Sequence, residues 1–299
     1  MLLRARSLER WLSWSKAHDW KSCIPYKGIK GSNPFLSAKS AFLFRKADFF
    51  LQYINNSRAK ENTAMETSVP VKLKTNLNTN FIKIIAIAAM TIDHVGTVFF
   101  PEYPAFRWIG RIAFPLFCYC LTVGMLYTHD IRKYALRLGA FALISQPFWI
   151  LAFHADNIPG NLFNLNIFFT LLVSLLATWG FKERKWWLFL VGLILLCAVN
   201  FDYAQTGLIL MLIFYLCRNK PWLGFLLYTL SYLPALNGSM ADPLSWKLGN
   251  YAVGFEIFSL LALPFIFLPI GTDIRLSKWF FYLYYPAHLL AIFLLQLFL

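Results

Sequence analysis

Two adjacent ionisable residues, Asp93 and His94, interrupt the apolar stretch "IAIAAMTIDHVGTVFF" at residues 85–100. Histidine is the side chain best suited to take or give a proton near neutral pH. A bare charge inside a hydrocarbon layer is costly, so such residues normally face a protein interior or a wet cavity. The pair therefore predicts a polar site in which both residues border a cavity and His94 can take or give a proton. Hydrogen bonding between helices is the alternative.

Two arginines follow at a spacing that places them on one helix face. Arg107 and Arg111 are four residues apart where the second apolar run begins. We expect them to meet Asp93 and keep it ionised, which leaves a surplus guanidinium to bind a phosphate or carboxylate of a substrate. The alternative, an arginine that extends to lipid headgroups, suits Arg107 better than Arg111.

A second intramembrane histidine, His288, follows Pro286 in the last apolar run. It is the candidate second acid or base of the site. A neutral imidazole hydrogen-bonded to a helix is an equally open interpretation. Asn166, which begins the fourth run, is a candidate for orienting a substrate, although such residues more often join helices.

Composition assigns these residues to a membrane. Of the 299 residues, 59% are hydrophobic and 18% aromatic, which is far above ordinary globular usage. The net charge of +14 is not gathered into a patch with stacking aromatics, so a nucleic-acid partner is not expected. The five cysteines show no metal-ligand spacing, and no metal is expected.

The hydropathy pattern predicts an all-α bundle of about nine transmembrane helices. The expected ranges are 81–100, 107–127, 136–154, 164–180, 186–200, 204–217, 221–236, 251–270 and 279–298. Thirteen of the sixteen Lys and Arg residues after position 64 fall on one side of this arrangement. By the positive-inside rule, the amino terminus is cytoplasmic and the carboxyl terminus external.

Residues 1–64 differ from the transmembrane domain that we expect at 65–299. They contain twelve Lys and Arg against four Asp and Glu, without sustained periodicity. "HDWKSC" (18–23) and "GSNP" (31–34) back-translate into sequences that resemble a serine tRNA anticodon arm and a tRNA T-loop. We therefore expect translation to begin at or near Met65. A genuine, disordered basic extension is the alternative.

Five ordered motifs resemble the TraX family: "FIKIIAIAAMTIDHVG" (81–96), "IGRIAFPLF" (109–117), "YALRLGAFALISQPF" (134–148), "NIFFTL" (166–171) and "YYPAHL" (284–289). The resemblance covers essentially everything after residue 80. It implies a multi-pass bacterial inner-membrane protein associated with acetylation of the amino terminus of F-type pilin. The segment "RIAFPLF", followed by Gly124, is more distantly similar to membrane heparan-glucosaminide acetyltransferases.

The resemblance implies a transmembrane acyltransferase that uses cytosolic acetyl-CoA and an external acceptor, such as a pilin amine or another amine or hydroxyl. In such an enzyme, His94 would be the base or acetyl carrier and Asp93 its electrostatic partner. Arg132, Lys133 and Arg137 would then receive the CoA phosphates, although a topology signal explains these charges as well. Two alternatives remain. A proton-coupled transporter would use the same buried residues as a relay, and a noncatalytic pilus-assembly protein would not need them.

Overall fold

The structure is a computed structural model that describes residues 78–268, residue 274 and residues 276–299. The expected extension at 1–64 and its boundary with the following domain lie outside the described residues. Most of the described chain is helical. The helices are α1 Thr79–Phe99, α2 Pro104–Gly110, α3 Ala113–Tyr127, α4 Ile131–Phe153, α5 Ile158–Asn161, α6 Ile167–Lys182, α7 Trp186–Ala198, α8 Ala204–Leu216, α9 Pro221–Ser231, α10 Leu263–Phe267 and α11 Lys278–Phe298, with short 3-10 helices at Ala155–Asn157, Leu233–Leu236 and Phe255–Ala262.

Four helical segments of the described chain are long and apolar enough to cross a membrane. They are α1, α2 together with α3, α4 and α11, with 21, 24, 23 and 21 residues. The apolar helices α6, α7, α8 and the segment Phe255–Phe267 are shorter than the roughly 20 residues that a hydrocarbon core requires. Each predicted range contains helical structure, but nine full spans and their orientation remain predictions.

The second long segment is interrupted at Arg111 and Ile112, between α2 and α3. Pro115 has no N–H to donate to the carbonyl of Arg111, four residues earlier, and its ring crowds that carbonyl. Pro104, at the start of α2, is instead well placed because the first turn has no hydrogen bond to lose. The break therefore lies at one of the candidate site residues.

The all-α prediction is incomplete at residues 246–253. Strands β1 Trp246–Leu248 and β2 Tyr251–Val253 pair antiparallel, with Trp246 opposite Val253. Gly249, at a φ of +59°, supplies the left-handed backbone of the two-residue turn. The prediction of a membrane helix starting at 251 is therefore wrong for its first residues.

Helix packing brings distant parts of the sequence together around a main hydrophobic core, with a smaller cluster at Ala177, Leu196 and Leu208. α1 packs against α2 and α3, α11 packs along α4, and α6 contacts α4, α7 and α8. Leu116, Leu171 and Leu210 are fully or almost fully buried within this core. Because lipid tails are as apolar as leucine, close van der Waals packing rather than exclusion from lipid favours this association. The packed frame fixes the facing positions of α1, α2 and α11.

Candidate functional site

Asp93 on α1 lies at the centre of an ion network. Its Oδ2 accepts a 2.6 Å hydrogen bond from Nη1 of Arg107, and its Oδ1 lies 3.6 Å from Nη2 of Arg111. The same Nη1 of Arg107 donates to the hydroxyl of Thr97 at 2.7 Å. The structure thus brings together the three residues that the sequence places at this site. Two guanidinium groups share one carboxylate, which leaves one positive charge in excess.

Two glycines allow α1 and α2 to approach closely enough for this network. A Cβ added at Gly110 would lie 2.0 Å from Oδ1 of Asp93, and one added at Gly96 would lie 2.1 Å from Cβ of Phe106. Both distances are far below van der Waals contact. Any side chain at Gly110 would therefore displace the Asp93 carboxylate.

His94 and His288 meet across α1 and α11. Nδ1 of His94 lies 2.8 Å from Nε2 of His288, and Nδ1 of His288 lies 3.0 Å from the carbonyl oxygen of Tyr284. The His94 ring also contacts Phe153 edge to face, with ring centroids 5.0 Å apart. The two histidines and the Tyr284 carbonyl form one hydrogen-bonded chain.

This chain assigns the ring tautomers when both imidazoles are neutral. A carbonyl only accepts, so Nδ1 of His288 must donate and its Nε2 must accept. Nδ1 of His94 then donates to that Nε2, which leaves the lone pair of His94 on Nε2. His94 therefore carries a free basic nitrogen, and His288 orients it.

Arg111 lies between two aromatic rings. Its guanidinium carbon is 5.0 Å from the ring centre of Tyr203 and 4.8 Å from that of Phe255. Tyr203 also stacks on Phe114, with centroids 4.0 Å apart. Cation–π contacts of this kind hold a desolvated guanidinium in place. Arg111 is only 7% exposed.

These groups line a cavity of about 320 Å³, which we call the histidine cavity. His94 lines it, whereas His288 lies behind His94, outside the described lining. The lining residues include Asp93, His94, Thr97, Arg107, Arg111, Phe117, Trp149, Phe153, His154, Phe168, Leu171, Asp202, Tyr203 and Tyr285.

Asn166 lies elsewhere. It is fully buried, and its Nδ2 donates to the carbonyl of Ala142 and to Oε1 of Gln146. Its Oδ1 accepts from the backbone N–H of Phe168 and caps α6. These contacts join α4 to the start of α6 and use the whole side-chain amide, which does not line the histidine cavity.

A second cavity, of about 270 Å³, lies at the opposite ends of the same helices. Lys83 near the start of α1, Arg137 in α4 and Lys278 at the start of α11 line it, so we call it the basic cavity. The histidine and basic cavities share three lining residues, Phe117, Phe168 and Leu171, which we call the partition.

The three basic residues proposed for CoA are separated in the structure. Arg137 lines the basic cavity, whereas Arg132 and Lys133 are exposed and do not line it. The ammonium of Lys133 lies 3.5 Å from Oδ2 of Asp130, which caps α4. The backbone N–H of Lys133 and the charge of its side chain hold the pKa of Asp130 below its usual value.

Sequence reasoning missed Asp202 and Tyr203, which line the histidine cavity. They lie in the connection "NFDYAQ" between α7 and α8, far from Asp93 along the chain. Tyr203 adopts a left-handed conformation with a φ of +61°, which is costly for a residue with a Cβ. The available signal was an acidic residue beside an aromatic residue in a loop otherwise free of charge.

Comparison with known proteins identifies the family. The family profile described as "TraX protein" matches residues 78–296, well over half of the chain. The chain belongs to the TraX family. The match contains all five motifs and all the candidate site residues above.

Two curated proteins share parts of this TraX-family sequence. The "Probable fimbrial assembly protein FimC, serogroup H1" of Dichelobacter nodosus is 37% identical over 105 residues, which cover 32% of this chain and 43% of the relative. The "Uncharacterized protein RP591" of Rickettsia prowazekii (strain Madrid E) is 50% identical over 46 residues, 15% of this chain and 18% of the relative. The chain thus spans less than half the length of either relative. No solved structure matches it.

Proposed function

We propose that this TraX-family protein is a membrane N-acetyltransferase. It transfers acetyl from cytosolic acetyl-CoA to an external amine, such as the amino terminus of a pilin. The observation that carries the proposal is the position of His94, which lines a cavity that shares the partition with the basic cavity. The family match and the fimbrial assembly name of one relative support the pilus connection. The four long apolar helices support a membrane location, and the bacterial inner membrane is part of the proposal.

The basic cavity suits part of a CoA molecule. Its cations Lys83, Arg137 and Lys278 match phosphate, and its apolar wall includes Leu121 and Phe281. Nε of Arg137 is buried without a hydrogen-bond partner in the described chain, so it has a donor to offer. A volume of about 270 Å³ lies just below the usual range of small-molecule sites, so the cavity suits the pantetheine arm, with the pyrophosphate against its cations and the adenosine outside.

In the simplest reaction, the acceptor amine attacks acetyl-CoA directly. The neutral acceptor amine attacks the thioester carbon, the C–N bond forms and the C–S bond breaks. Nε2 of His94 takes the proton that the amine loses and returns it to the departing thiolate, so the products are an amide and free CoA. In the covalent alternative, Nε2 attacks the thioester carbon and the C–S bond breaks, which releases the CoA thiolate. The amine then displaces the acetyl group from Nε2, and the proton that the amine loses goes to the thiolate, so the products are again an amide and free CoA.

The arginines contribute charge rather than proton transfer. Negative charge develops on the carbonyl oxygen during the attack, and preorganised cations stabilise it best in a water-poor site. Arg107 and Arg111 both line the histidine cavity and share Asp93 as their close ion-pair partner among the described residues, while Asp202 lines the same cavity without such a close ion pair. Asp93 is then a positioning residue that holds both guanidinium groups at the wall of the histidine cavity.

The decisive experiment measures acetyl transfer by the purified protein in lipid nanodiscs. Radiolabelled acetyl-CoA and a short peptide with a free amino terminus are supplied, and labelled peptide is counted. We expect transfer by the wild type and a loss of about 10²–10⁴-fold in His94→Ala. His129→Ala removes an exposed histidine outside the cavities and serves as the matched control. A wild type that labels no peptide would overturn the proposal.

A noncatalytic role in pilus assembly is the second candidate, and the name of the fimbrial relative favours it. In that case His94→Ala and His288→Ala would leave pilus assembly intact. A proton-coupled transporter is a third reading of the buried ionisable residues. Solute uptake into proteoliposomes without acetyl-CoA would support it.

A further inference from the structure

A third cavity, of about 400 Å³, adjoins the histidine cavity and is used by none of the chemistry above. We call it the loop cavity, because the 3-10 helix Leu233–Leu236, the segment 237–245 and the start of the 3-10 helix Phe255–Ala262 form most of it. Most of its lining residues have polar side chains, and the charged ones are Arg111, Asp242 and Glu256. It lies at the predicted external ends of the helices.

The loop and histidine cavities share a wall. Arg111 and Tyr203 line both. The Nε–H of Arg111 is buried without a hydrogen-bond partner among the described residues, although Nη2 of the same side chain faces Asp93. Buried donors in native proteins are nearly always satisfied. An unsatisfied N–H in a wall between two cavities therefore has room for an acceptor oxygen, which a water molecule or a carbonyl of a bound molecule would supply.

Carboxylates outnumber cations across the two cavities. Asp93, Asp202, Asp242 and Glu256 line them, against Arg107 and Arg111. The Asp242 carboxylate already accepts hydrogen bonds from Leu244 N–H and the Ser245 hydroxyl. The Glu256 carboxylate is exposed and forms no hydrogen bond or ion pair within the described chain. Asp202 lines the histidine cavity instead and accepts a hydrogen bond from the backbone N–H of Tyr203. Within the loop cavity, Glu256 is thus the carboxylate with free capacity for a cation, and its charge also interacts with that of Arg111.

We propose that the loop cavity is the entry site for the acceptor and that Glu256 binds the acceptor's primary ammonium group. The inference rests on the proposed N-acetylation and says where the amine is recognised. A neutral hydroxyl acceptor would gain much less from the Glu256 charge than an ammonium does. Acetylation removes the charge, so the product loses its attraction to Glu256 and leaves.

Arg111 selects the uncharged form of the acceptor amine on the path to His94. Its guanidinium stands in the wall between Glu256 and the histidine cavity and repels a cation. The acceptor therefore gives a proton to water at the loop cavity and passes as the neutral amine, which is the form that attacks a thioester. The unpartnered Nε–H binds a backbone carbonyl of the acceptor during this passage.

The test measures binding, so that it does not depend on catalysis. The probe is the amidated peptide Ala-Gly-Ser-Gly-Ala, whose only charge is its amino terminus, and its N-acetylated form is the comparison. Titration calorimetry is done with the full chain in nanodiscs. We expect the free peptide to bind at least about tenfold more tightly than the acetylated one, and Glu256→Gln to abolish that difference. Glu102→Gln, an exposed carboxylate outside the cavity, is the matched control and keeps it.

The outcomes separate this inference from the proposed function. Equal binding of both peptides by the wild type, or an unchanged preference in Glu256→Gln, overturns the entry site. Acetyl transfer with an unchanged acceptor KM in Glu256→Gln also overturns it and leaves the acetyltransferase standing. If the free peptide binds more tightly than the acetylated one in a Glu256-dependent way, but no acetyl is transferred from acetyl-CoA, the entry site is supported and the proposed acetyltransferase activity is overturned.

Discussion

The imidazoles of His94 and His288 are joined by a 2.8 Å hydrogen bond from Nδ1 to Nε2, and His288 is anchored in turn to the carbonyl of Tyr284. The two residues are 194 positions apart, so the bond depends on how α1 and α11 pack. It makes His288 a positioning residue for the free nitrogen of His94. The arrangement has the same logic as other bases that are oriented by a second hydrogen-bonding group.

Substitution of His288 tests this assignment. Gln keeps an acceptor for Nδ1 of His94, whereas Leu removes it. We expect His288→Leu to lower kcat by about 10²-fold with little change in the KM for acetyl-CoA, and His288→Gln to restore a large part of the loss. Steady-state kinetics in nanodiscs provide the measurement. Equal losses in both variants would show that His288 only fills space.

Gly110 tests the close approach of α2 to Asp93. Alanine is favoured over glycine in a helix by about 1 kcal/mol, so Gly110→Ala would stabilise the protein if the site had room. The added Cβ would lie 2.0 Å from the Asp93 carboxylate, and we therefore expect a lower melting temperature and a large loss of activity. Gly139→Ala in α4 is the control, because its Cβ would meet only Leu172 at 3.3 Å. A Gly110→Ala protein as stable and active as the wild type would contradict the packing described here.

The sequence predicts much of the site because the anomalous residues are few. An aspartate, a histidine and two arginines in apolar helices have few ways to satisfy their charges, so Asp93 and its arginines could be assigned to one another. The distance to His288 could not be predicted. Nothing in local sequence reports which helices become neighbours, and hydropathy contains no information on helix order in space.

Features that depend on loops, turns and helix caps could not be predicted from the sequence, each for a local reason. Asp202 and Tyr203 lie in a loop, and neither helical periodicity nor the number of spans predicts where a loop residue lies in the fold. The hairpin around Gly249 was hidden in an apolar run, although "LGNY" contains a two-residue turn signal. Asn166 was assigned to a substrate because it is polar in an apolar run. The structure shows that the Asn166 amide caps α6 through its oxygen and donates both N–H groups to α4, to the Ala142 carbonyl and the Gln146 side chain.

The basic cavity leads to a prediction about acetyl-CoA. Arg137 lines it, while Arg132 is exposed on the same helix and lies outside the lining. We expect Arg137→Gln to raise the KM for acetyl-CoA about tenfold, because an arginine–phosphate contact is lost. Arg132→Gln removes the same charge and is expected to change KM less than twofold, about the limit of detection in such assays. Equal increases in both variants would favour a diffuse electrostatic effect over a built site.

The partition between the two cavities leads to the last prediction. Leu171 is 2% exposed and lines both the histidine and the basic cavity. Leu171→Ala removes part of this wall and is expected to cost about 2–5 kcal/mol in stability. The fully buried Leu196 lines neither cavity, so Leu196→Ala should cost a similar amount and provides the matched control.

The two variants are then compared by hydrolysis of acetyl-CoA without an acceptor. Water that enters through a widened partition reaches a thioester beside His94, so we expect Leu171→Ala to hydrolyse acetyl-CoA several-fold faster than the wild type. Leu196→Ala is expected to lose a similar amount of stability but to leave the partition intact. We therefore expect this variant to hydrolyse acetyl-CoA at the wild-type rate. Equal rates in both variants would mean that Leu171 does not separate the thioester from water.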